Sequence, residues 1–266
     1  MKRFLIFSIV LFTQQLIAQK TDPMAAYKAA IRAQQKATGM PLSTDMPFLQ
    51  GNALPVKNPK VLASIPKTTL NQTQLQTYIQ KTVAGVTKKV SAKALKDAET
   101  LAEDLKKKCP ASNYLSDAAK MLLVIGSNES ALVLLGKAVL QDPTNADNLN
   151  NYSAALIQHG GGHLALPILQ ALNARFPGNS TILNNIGQAW FSLGDFFQAS
   201  QFLDNSLKIF PLQSMTNFTK AIIEESNGNK PGAIKNMMTS IKAAYSDDKY
   251  DRIEKMGGKL SSDDIF

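Results

Sequence analysis

Apolar residues between about positions 71 and 245 recur at intervals of three and four, which is the spacing of one face of an α-helix. Residues 180–213 show the pattern most clearly. Their first helical stripe consists of Leu183, Ile186, Gly187 and Trp190. Gly194 and Asp195 interrupt that stripe, and Pro211 ends the next one. The second stripe consists of Ala199, Phe202, Leu203 and Ser206. The spacing therefore predicts two helices joined by a short turn.

The residues that end these stripes recur with a period of 34 along the chain. Three residue types keep this period independently. The prolines are Pro143, Pro177 and Pro211; the glycines are Gly126, Gly160, Gly194 and Gly228; the alanines are Ala131, Ala165, Ala199 and Ala233. One helix pair alone cannot bury its apolar face, so successive pairs must stack on one another. The period therefore predicts an all-α solenoid of about four helix pairs.

The stretch Leu183-x-x-Ile186-Gly187-x-x-Trp190, followed by Gly194, Ala199, Leu203 and Pro211, resembles the tetratricopeptide repeat (TPR) pattern. The resemblance implies a TPR domain at 111–245, with repeats at about 112–145, 146–179, 180–213 and 214–245. The last repeat departs from the pattern. It carries Asn217, Lys220 and Glu224 at positions that are usually apolar, and Tyr245 where the proline should be.

The resemblance also implies a partner-binding groove lined by the first helices of successive repeats. By family position, the candidate partner-binding residues are Lys120, Asn150, Asn184, Gln188, Phe191, Phe218 and Ile222, and Asn113 and Ser116 line the same surface. Amide side chains could bond a peptide backbone, and the apolar side chains could receive an anchor. The alternative is that several of these residues contact only the next helix. Related chaperone-binding domains clamp a carboxylate with several cations, but only Lys120 stands in such a position here.

The segments outside the repeats are predicted from their composition and from the prolines and glycines that end helices. Residues 1–18 carry Lys2 and Arg3 before an apolar run of about nine residues, which is typical of a signal peptide and too short to span a membrane. Cleavage near Ala18 would make the protein periplasmic or extracellular, with no transmembrane segment in the mature chain.

The other predicted segments are a short helix at 19–39, a Pro-rich extended linker at 40–70, a basic helical pair at 71–110 that is alternatively a degenerate fifth repeat, and a polar C-terminal cap at 246–266.

The positive charge is concentrated in the N-terminal third of the chain. The formal net charge is +9, and residues 111–245 contribute none of it, because they hold eight basic and eight acidic residues. The segment 71–108 could therefore attach to an anionic polymer or membrane. Its densest lysine groups fall at predicted helix ends, where they oppose the negative end of the helix dipole. We do not expect nucleic acid as a partner.

Catalytic chemistry has few candidates, because the chain has one Cys and two His. Both histidines lie in His159-Gly160-Gly161-Gly162-His163, which a metal site or an esterase oxyanion segment could use. The alternative is a tight turn between helices, and no partner motif accompanies the segment. With 44% hydrophobic residues the chain can form a core. The sequence therefore predicts a non-catalytic, cofactor-free scaffold in the cell envelope that binds a protein or peptide.

Overall fold

The computed structural model describes residues 54–108, 113–124 and 126–260, and these residues form twelve helices and no strand. The helices are α1 (Pro59–Ala63), α2 (Gln72–Thr87), α3 (Ala92–Lys108), α4 (Tyr114–Val124), α5 (Asn128–Gln141), α6 (Ala146–Gln158), α7 (Gly162–Arg175), α8 (Ser180–Ser192), α9 (Phe196–Ile209), α10 (Ser214–Ser226), α11 (Lys230–Ala243) and α12 (Asp247–Lys255). The predicted all-α class is confirmed.

The helix boundaries from α4 to α11 follow the period of the sequence. Gly126, Gly160, Gly194 and Gly228 each adopt a φ between 73° and 78° in the turn inside a repeat. This left-handed conformation ends the first helix of each pair and is easily reached only by glycine. Between repeats, Asn145 and Asn179 cap α6 and α8 by accepting hydrogen bonds from backbone N–H groups of the first turn. The recurring residues therefore determine where each helix begins and ends.

Helices α4 to α11 stack as four pairs, each pair packing against the next. Gly187 shows why small residues recur on these faces. A Cβ atom on Gly187 would lie 2.6 Å from the side chain of Leu203, so a larger residue would force Leu203 or the two helices to move. Leu203 and Ala199 are fully buried at this contact. The close approach of the two helices that the pattern predicts is confirmed.

The segment before the repeats packs on the second helices of the first two repeats. The Tyr78 hydroxyl of α2 donates a hydrogen bond to the Leu164 carbonyl of α7 at 3.2 Å. Val83 lies against Gly136 of α5, where an added Cβ would be 3.2 Å from the valine methyl. We call residues 54–87, which include α1 and α2, the strap. Because α2 packs on α5 and α7 rather than along α3, the helices of 71–110 differ from a repeat pair.

The strap begins on the turn of the third repeat. Lys57 Nζ lies 2.7 Å from a carboxylate oxygen of Asp195, and a Cβ on Gly194 would lie 2.5 Å from the Lys57 backbone nitrogen. Residues 40–70 are predicted as an extended linker, but the described part contains helix α1 and contacts the repeats. This part of the prediction is corrected, because Leu54 and Ile65 join the apolar core. The division into domains as a whole stays a prediction.

Two predicted segments, the signal peptide at 1–18 and the helix at 19–39, lie outside the described residues. After the repeats, α12 packs on α11 with Ile253 fully buried. Among the described residues, no helix combines the length and the apolar character that crossing a membrane requires.

Candidate partner-binding surface

Amide and hydroxyl side chains connect the first helices of the second, third and fourth repeats, α6, α8 and α10. Asn185 Nδ2 donates to Asn150 Oδ1 at 2.9 Å, and Asn184 Nδ2 donates to Asn185 Oδ1 at 3.0 Å. Gln188 Nε2 donates to Asn184 Oδ1 at 3.0 Å. We call this hydrogen-bonded chain the amide ladder. It consists of Asn150, Asn184, Asn185, Gln188, Thr216 and Thr219.

The amide ladder continues into α10 through two threonines. Thr216 Oγ1 donates to Asn184 Oδ1 and Thr219 Oγ1 donates to Gln188 Oε1, both at 2.9 Å. Asn184 and Gln188 are only 6% and 4% exposed. A buried amide is costly unless it is hydrogen-bonded, and these partners supply the bonds. Asn184 and Gln188 therefore hold successive first helices together, and the expectation that they line an open groove is corrected.

The three apolar candidates also lie inside the protein. Phe191, Phe218 and Ile222 are 0%, 5% and 1% exposed and belong to one core cluster. The ring of Phe191 lies 5.3 Å from that of Phe196, and the Lys249 ammonium lies 5.6 Å from the ring centroid of Phe218. None of the three offers a free surface to an apolar anchor. The alternative stated above, contact within the fold, is what the structure shows for them.

Lys120 and Asn150 are the accessible members of the predicted set. Lys120 is exposed on α4, and its ammonium lies 3.1 Å from a carboxylate oxygen of Asp117 on the same helix. Asn150 is half-buried at the end of the amide ladder, with its Oδ1 atom accepting from Asn185. The accessible part of the predicted surface therefore lies at the first and second repeats.

A cleft of about 330 Å³ opens beside these repeats, between the starts of α4 and α6 and the end of α5. We call it the edge cleft. Its polar lining consists of Asn113, Ser116, Gln141, Asp142, Asn145 and Asn148. Two of these, Asn113 and Ser116, were placed on the partner surface by family position. The cleft itself could not be predicted, because it depends on the end of α5, which belongs to the second helix of the repeat.

The electrostatics of the edge cleft are set by Asp142. Its carboxylate accepts hydrogen bonds from the Thr144 hydroxyl at 2.7 Å and from the Thr144 and Asn145 backbone N–H groups. These bonds, the Thr144 hydroxyl bond first, hold the pKa of Asp142 below its ordinary value. All three bonds go to Oδ1, so Oδ2 of this exposed carboxylate accepts no hydrogen bond from a described residue. The exposed groups of the cleft are the Asn113 and Gln141 amides and the Asp142 carboxylate, whereas Ser116 and Asn148 are buried in its wall. Amides and a carboxylate are suited to bonding the backbone of a peptide.

The two histidines lie at the turn between α6 and α7. His159 ends α6, with Nδ1 2.9 Å from the Ala155 carbonyl oxygen. His163 is half-buried, and burial, reinforced by the charge of Lys89, lowers its pKa. A Cβ on Gly162 would clash with the Ser192 hydroxyl and lie 3.0 Å from the Ala189 carbonyl. The glycines therefore let α7 begin against the end of α8. Among the described residues, no group of three metal-binding side chains occurs.

No protein-family model matches the chain, and no curated protein matches its sequence. Solved structures do resemble it. A thermophilic TPR protein of Thermus thermophilus is 16% identical and superposes with a TM-score of 0.50 over 55% of this chain and 81% of its own. MamA from residue 41 to its end, from Desulfovibrio magneticus, is 13% identical, with a TM-score of 0.45 over 68% of this chain and 99% of its own. Another MamA structure is 19% identical, with a TM-score of 0.43 over 59% and 89%.

The likeness to the Thermus protein concerns the fold, since the identity is low. It agrees with the 34-residue period and with the stacked helix pairs. The TPR-like solenoid predicted from the sequence is therefore confirmed.

Proposed function

We propose that this protein is a non-catalytic scaffold that binds a protein or peptide partner through its TPR-like repeats. The observation that carries the proposal is the accessible polar surface at the first two repeats, made by Lys120, Asn150 and the edge cleft. Stacked helix pairs hold this surface on a rigid frame, which lowers the entropy lost on binding. An extended peptide is a suitable occupant, because it carries the backbone N–H and C=O groups that amides can pair.

The partner surface proposed here is smaller than the groove implied by family position. Asn184, Gln188, Phe191, Phe218 and Ile222 serve the stacking of repeats, so they support the surface without touching the partner. Asn113 and Lys120 are exposed on it and can be changed without removing a buried contact. They are therefore the residues with which to test the proposal.

The test is capture of a partner by crosslinking in cells followed by mass spectrometry. The test variant is Asn113→Arg with Lys120→Glu, which changes the size and charge of the proposed surface. The control is Asn205→Arg with Lys208→Glu, the same chemical changes at two exposed positions of α9. Circular dichroism should show that all three proteins are folded. We expect one partner to be captured by the unaltered chain and the control variant but lost with the test variant.

Equal capture by all three proteins would contradict the proposed surface. A partner lost with both variants would point instead to a general effect of charge, which also contradicts it.

We further propose that the scaffold works in the cell envelope. The support for this is the signal-peptide pattern of residues 1–18. Fractionation of cells and mass measurement of the purified chain are the test. We expect the chain to be exported and to begin after Ala18. An intact N-terminus and a cytoplasmic chain would contradict export and leave the partner surface unaffected.

A further inference from the structure

The strap and the start of α3 carry an unusual distribution of charge. Residues 54–96 contain eight lysines and no aspartate or glutamate. The lysines are Lys57, Lys60, Lys67, Lys81, Lys88, Lys89, Lys93 and Lys96, and all eight are exposed. The repeats that follow are neutral as a group, since residues 111–245 hold equal numbers of basic and acidic side chains. The positive charge of the described chain is therefore concentrated in this segment.

Within the described part of the chain, most of these lysines form no ion pair. Lys57 lies 2.7 Å from Asp195, but the other seven lysines take part in no ion pair with any residue that the structure describes. The nearby Glu129 accepts hydrogen bonds from the Ser91 hydroxyl at 2.6 Å and the Ser91 backbone N–H at 3.3 Å. These bonds, the hydroxyl bond first, lower the pKa of Glu129, so this carboxylate stays negatively charged at the α2–α3 turn.

The packing of α2 and α3 turns their lysines toward solvent. On α2, Ile79 and Val83 are buried against the repeats, and Lys81 lies on the opposite side of the helix. Lys88 follows Lys81 by seven residues and shares its side. On α3, Ala98 is fully buried, and Lys96 is exposed two residues before it. Both helices pack on α5, and beyond Lys96 the exposed side of α3 also carries Asp97, Glu99, Glu103 and Asp104, so the surface free of carboxylates is that of residues 54–96. We call it the lysine face.

The side-chain chemistry of the lysine face indicates what kind of anion it fits. Residues 54–108 contain no arginine, and their one aromatic residue, Tyr78, is held by its bond to Leu164. Sequence-specific or single-stranded nucleic acid recognition uses arginine forks and aromatic stacking, which this surface lacks. Lysines on flexible stems act as point charges without a required geometry. Such a surface suits a diffuse layer of negative charge, and an anionic lipid bilayer provides one.

We propose that the lysine face binds the surface of anionic lipid membranes. This goes beyond the scaffold function, since the lysines are exposed on α2 and on the start of α3, whereas the proposed partner surface is made by Lys120, Asn150 and the edge cleft. The protein would then hold its partner at a membrane without spanning it. Attraction of this kind acts over about 8 Å at physiological ionic strength and weakens as salt is added.

The test is sedimentation of the full chain with vesicles of phosphatidylglycerol and phosphatidylcholine, compared with vesicles of phosphatidylcholine alone. The test variant changes Lys81, Lys88, Lys93 and Lys96 to Gln. The control variant changes Lys230, Lys235, Lys255 and Lys259 to Gln, which removes the same charge from exposed positions near the C-terminal end. All three proteins keep residues 1–18, so any apolar insertion of that segment is common to them.

We expect the unaltered chain and the control variant to bind the anionic vesicles, and the test variant to bind at least about tenfold more weakly. Raising the salt from about 0.05 M to about 0.5 M should release the bound chain. Equal weakening in both variants would overturn the proposal, because net charge would then be responsible. So would salt-released binding that is equal for neutral and anionic vesicles, or binding to a DNA fragment in the absence of any to anionic vesicles.

Discussion

Individual side chains at the centre of the repeats hold the stack in register, and Asn184 shows this most directly. Its Oδ1 atom accepts hydrogen bonds from Gln188 and Thr216, and its Nδ2 group donates to Asn185. All of these bonds lie inside the protein. Each one also has a fixed direction, so a shift of one repeat against the next would break several at once.

Asn184→Ala should therefore destabilise the fold. Removing the amide leaves Gln188 and Thr216 as buried donors without their acceptor, so we expect the free energy of unfolding to fall by about 2–3 kcal/mol. Urea unfolding followed by circular dichroism measures this. Asn205→Ala is the control, because Asn205 is exposed on α9, and its effect should stay within about 0.5 kcal/mol. Equal effects of the two changes would show that the amide ladder does not stabilise the stack.

Gly194 differs from the other turn glycines because the strap lies against it. Gly194 and Gly228 both have positive φ, at 73° and 78°. An added Cβ would meet nothing within 4 Å at Gly228 but would lie 2.7 Å from the Val56 carbonyl carbon at Gly194. Gly228→Ala should cost about 1–2 kcal/mol from backbone strain alone. Gly194→Ala should cost more, or should release the strap.

Two measurements on Gly194→Ala and Gly228→Ala distinguish these outcomes. Urea unfolding gives the difference in stability, and limited proteolysis reports whether the chain near Val56 becomes accessible. If Gly194→Ala matches Gly228→Ala in both stability and proteolysis, the strap does not contact this turn.

The role of a residue could be predicted from the sequence where that role is local. It could not be predicted where the role depends on the neighbouring helix. Gly194 and Gly228 end a helix wherever they occur, so their spacing alone located the turns. Asn184 occupies a position that can face a partner or the next helix. Thr216 on α10 decides this, because its hydroxyl bonds Asn184, and the pattern of one helix does not show which side chain of the next helix will reach it. The same ambiguity applies to Phe218, which is apolar in either case.

At the scale of helices, the sequence pattern of α2 predicts the helix but not the surface on which it packs. Its apolar stripe, with Leu75, Ile79 and Val83, was visible in the sequence, and the helix was predicted. The surface that receives this stripe was not, because it is formed by α5 and α7 together. Gly136 provides the space for Val83 on α5, and such complementarity has no signature in a single stripe. The prolines before α2 suggested an extended linker, because the repeat surface that this segment contacts is likewise not visible in its own sequence.

Ile79→Ala tests whether α2 stabilises the repeats. Ile79 is fully buried and packs in the same core cluster as the residues of α5 and α7. Removing its side chain should leave a cavity and lower the free energy of unfolding by about 2–5 kcal/mol. Gln80→Ala is the control, since Gln80 is exposed beside it and alanine favours the helix. Unfolding by urea gives both values, and a loss below about 0.5 kcal/mol for Ile79→Ala would show that α2 is only loosely held.

For the whole molecule, the strap changes the way in which a solenoid is stabilised. Each repeat in a solenoid normally contacts only its neighbours, so stability is close to a sum along the chain. Here one segment contacts three repeats: Lys57 pairs with Asp195 in the third, Tyr78 bonds Leu164 in the second, and Val83 packs on Gly136 in the first. These contacts join repeats that would otherwise open independently. Among the described residues the fourth repeat shares no hydrogen bond or ion pair with the strap, although Leu54 packs on the core cluster that includes Phe218 and Ile222.

Hydrogen exchange measured residue by residue should show this division. We expect the amides of α5 and α7, which the strap covers, to exchange only through the largest openings, and those of α11 to exchange through smaller ones. Ile79→Ala should then speed exchange in α5 and α7 while leaving α11 nearly unchanged, because the lost contact belongs to the strap alone. Gln80→Ala should change neither. A uniform acceleration in all helices of Ile79→Ala would mean that the repeats unfold as one unit, and the strap would then have no separate role in joining the first three.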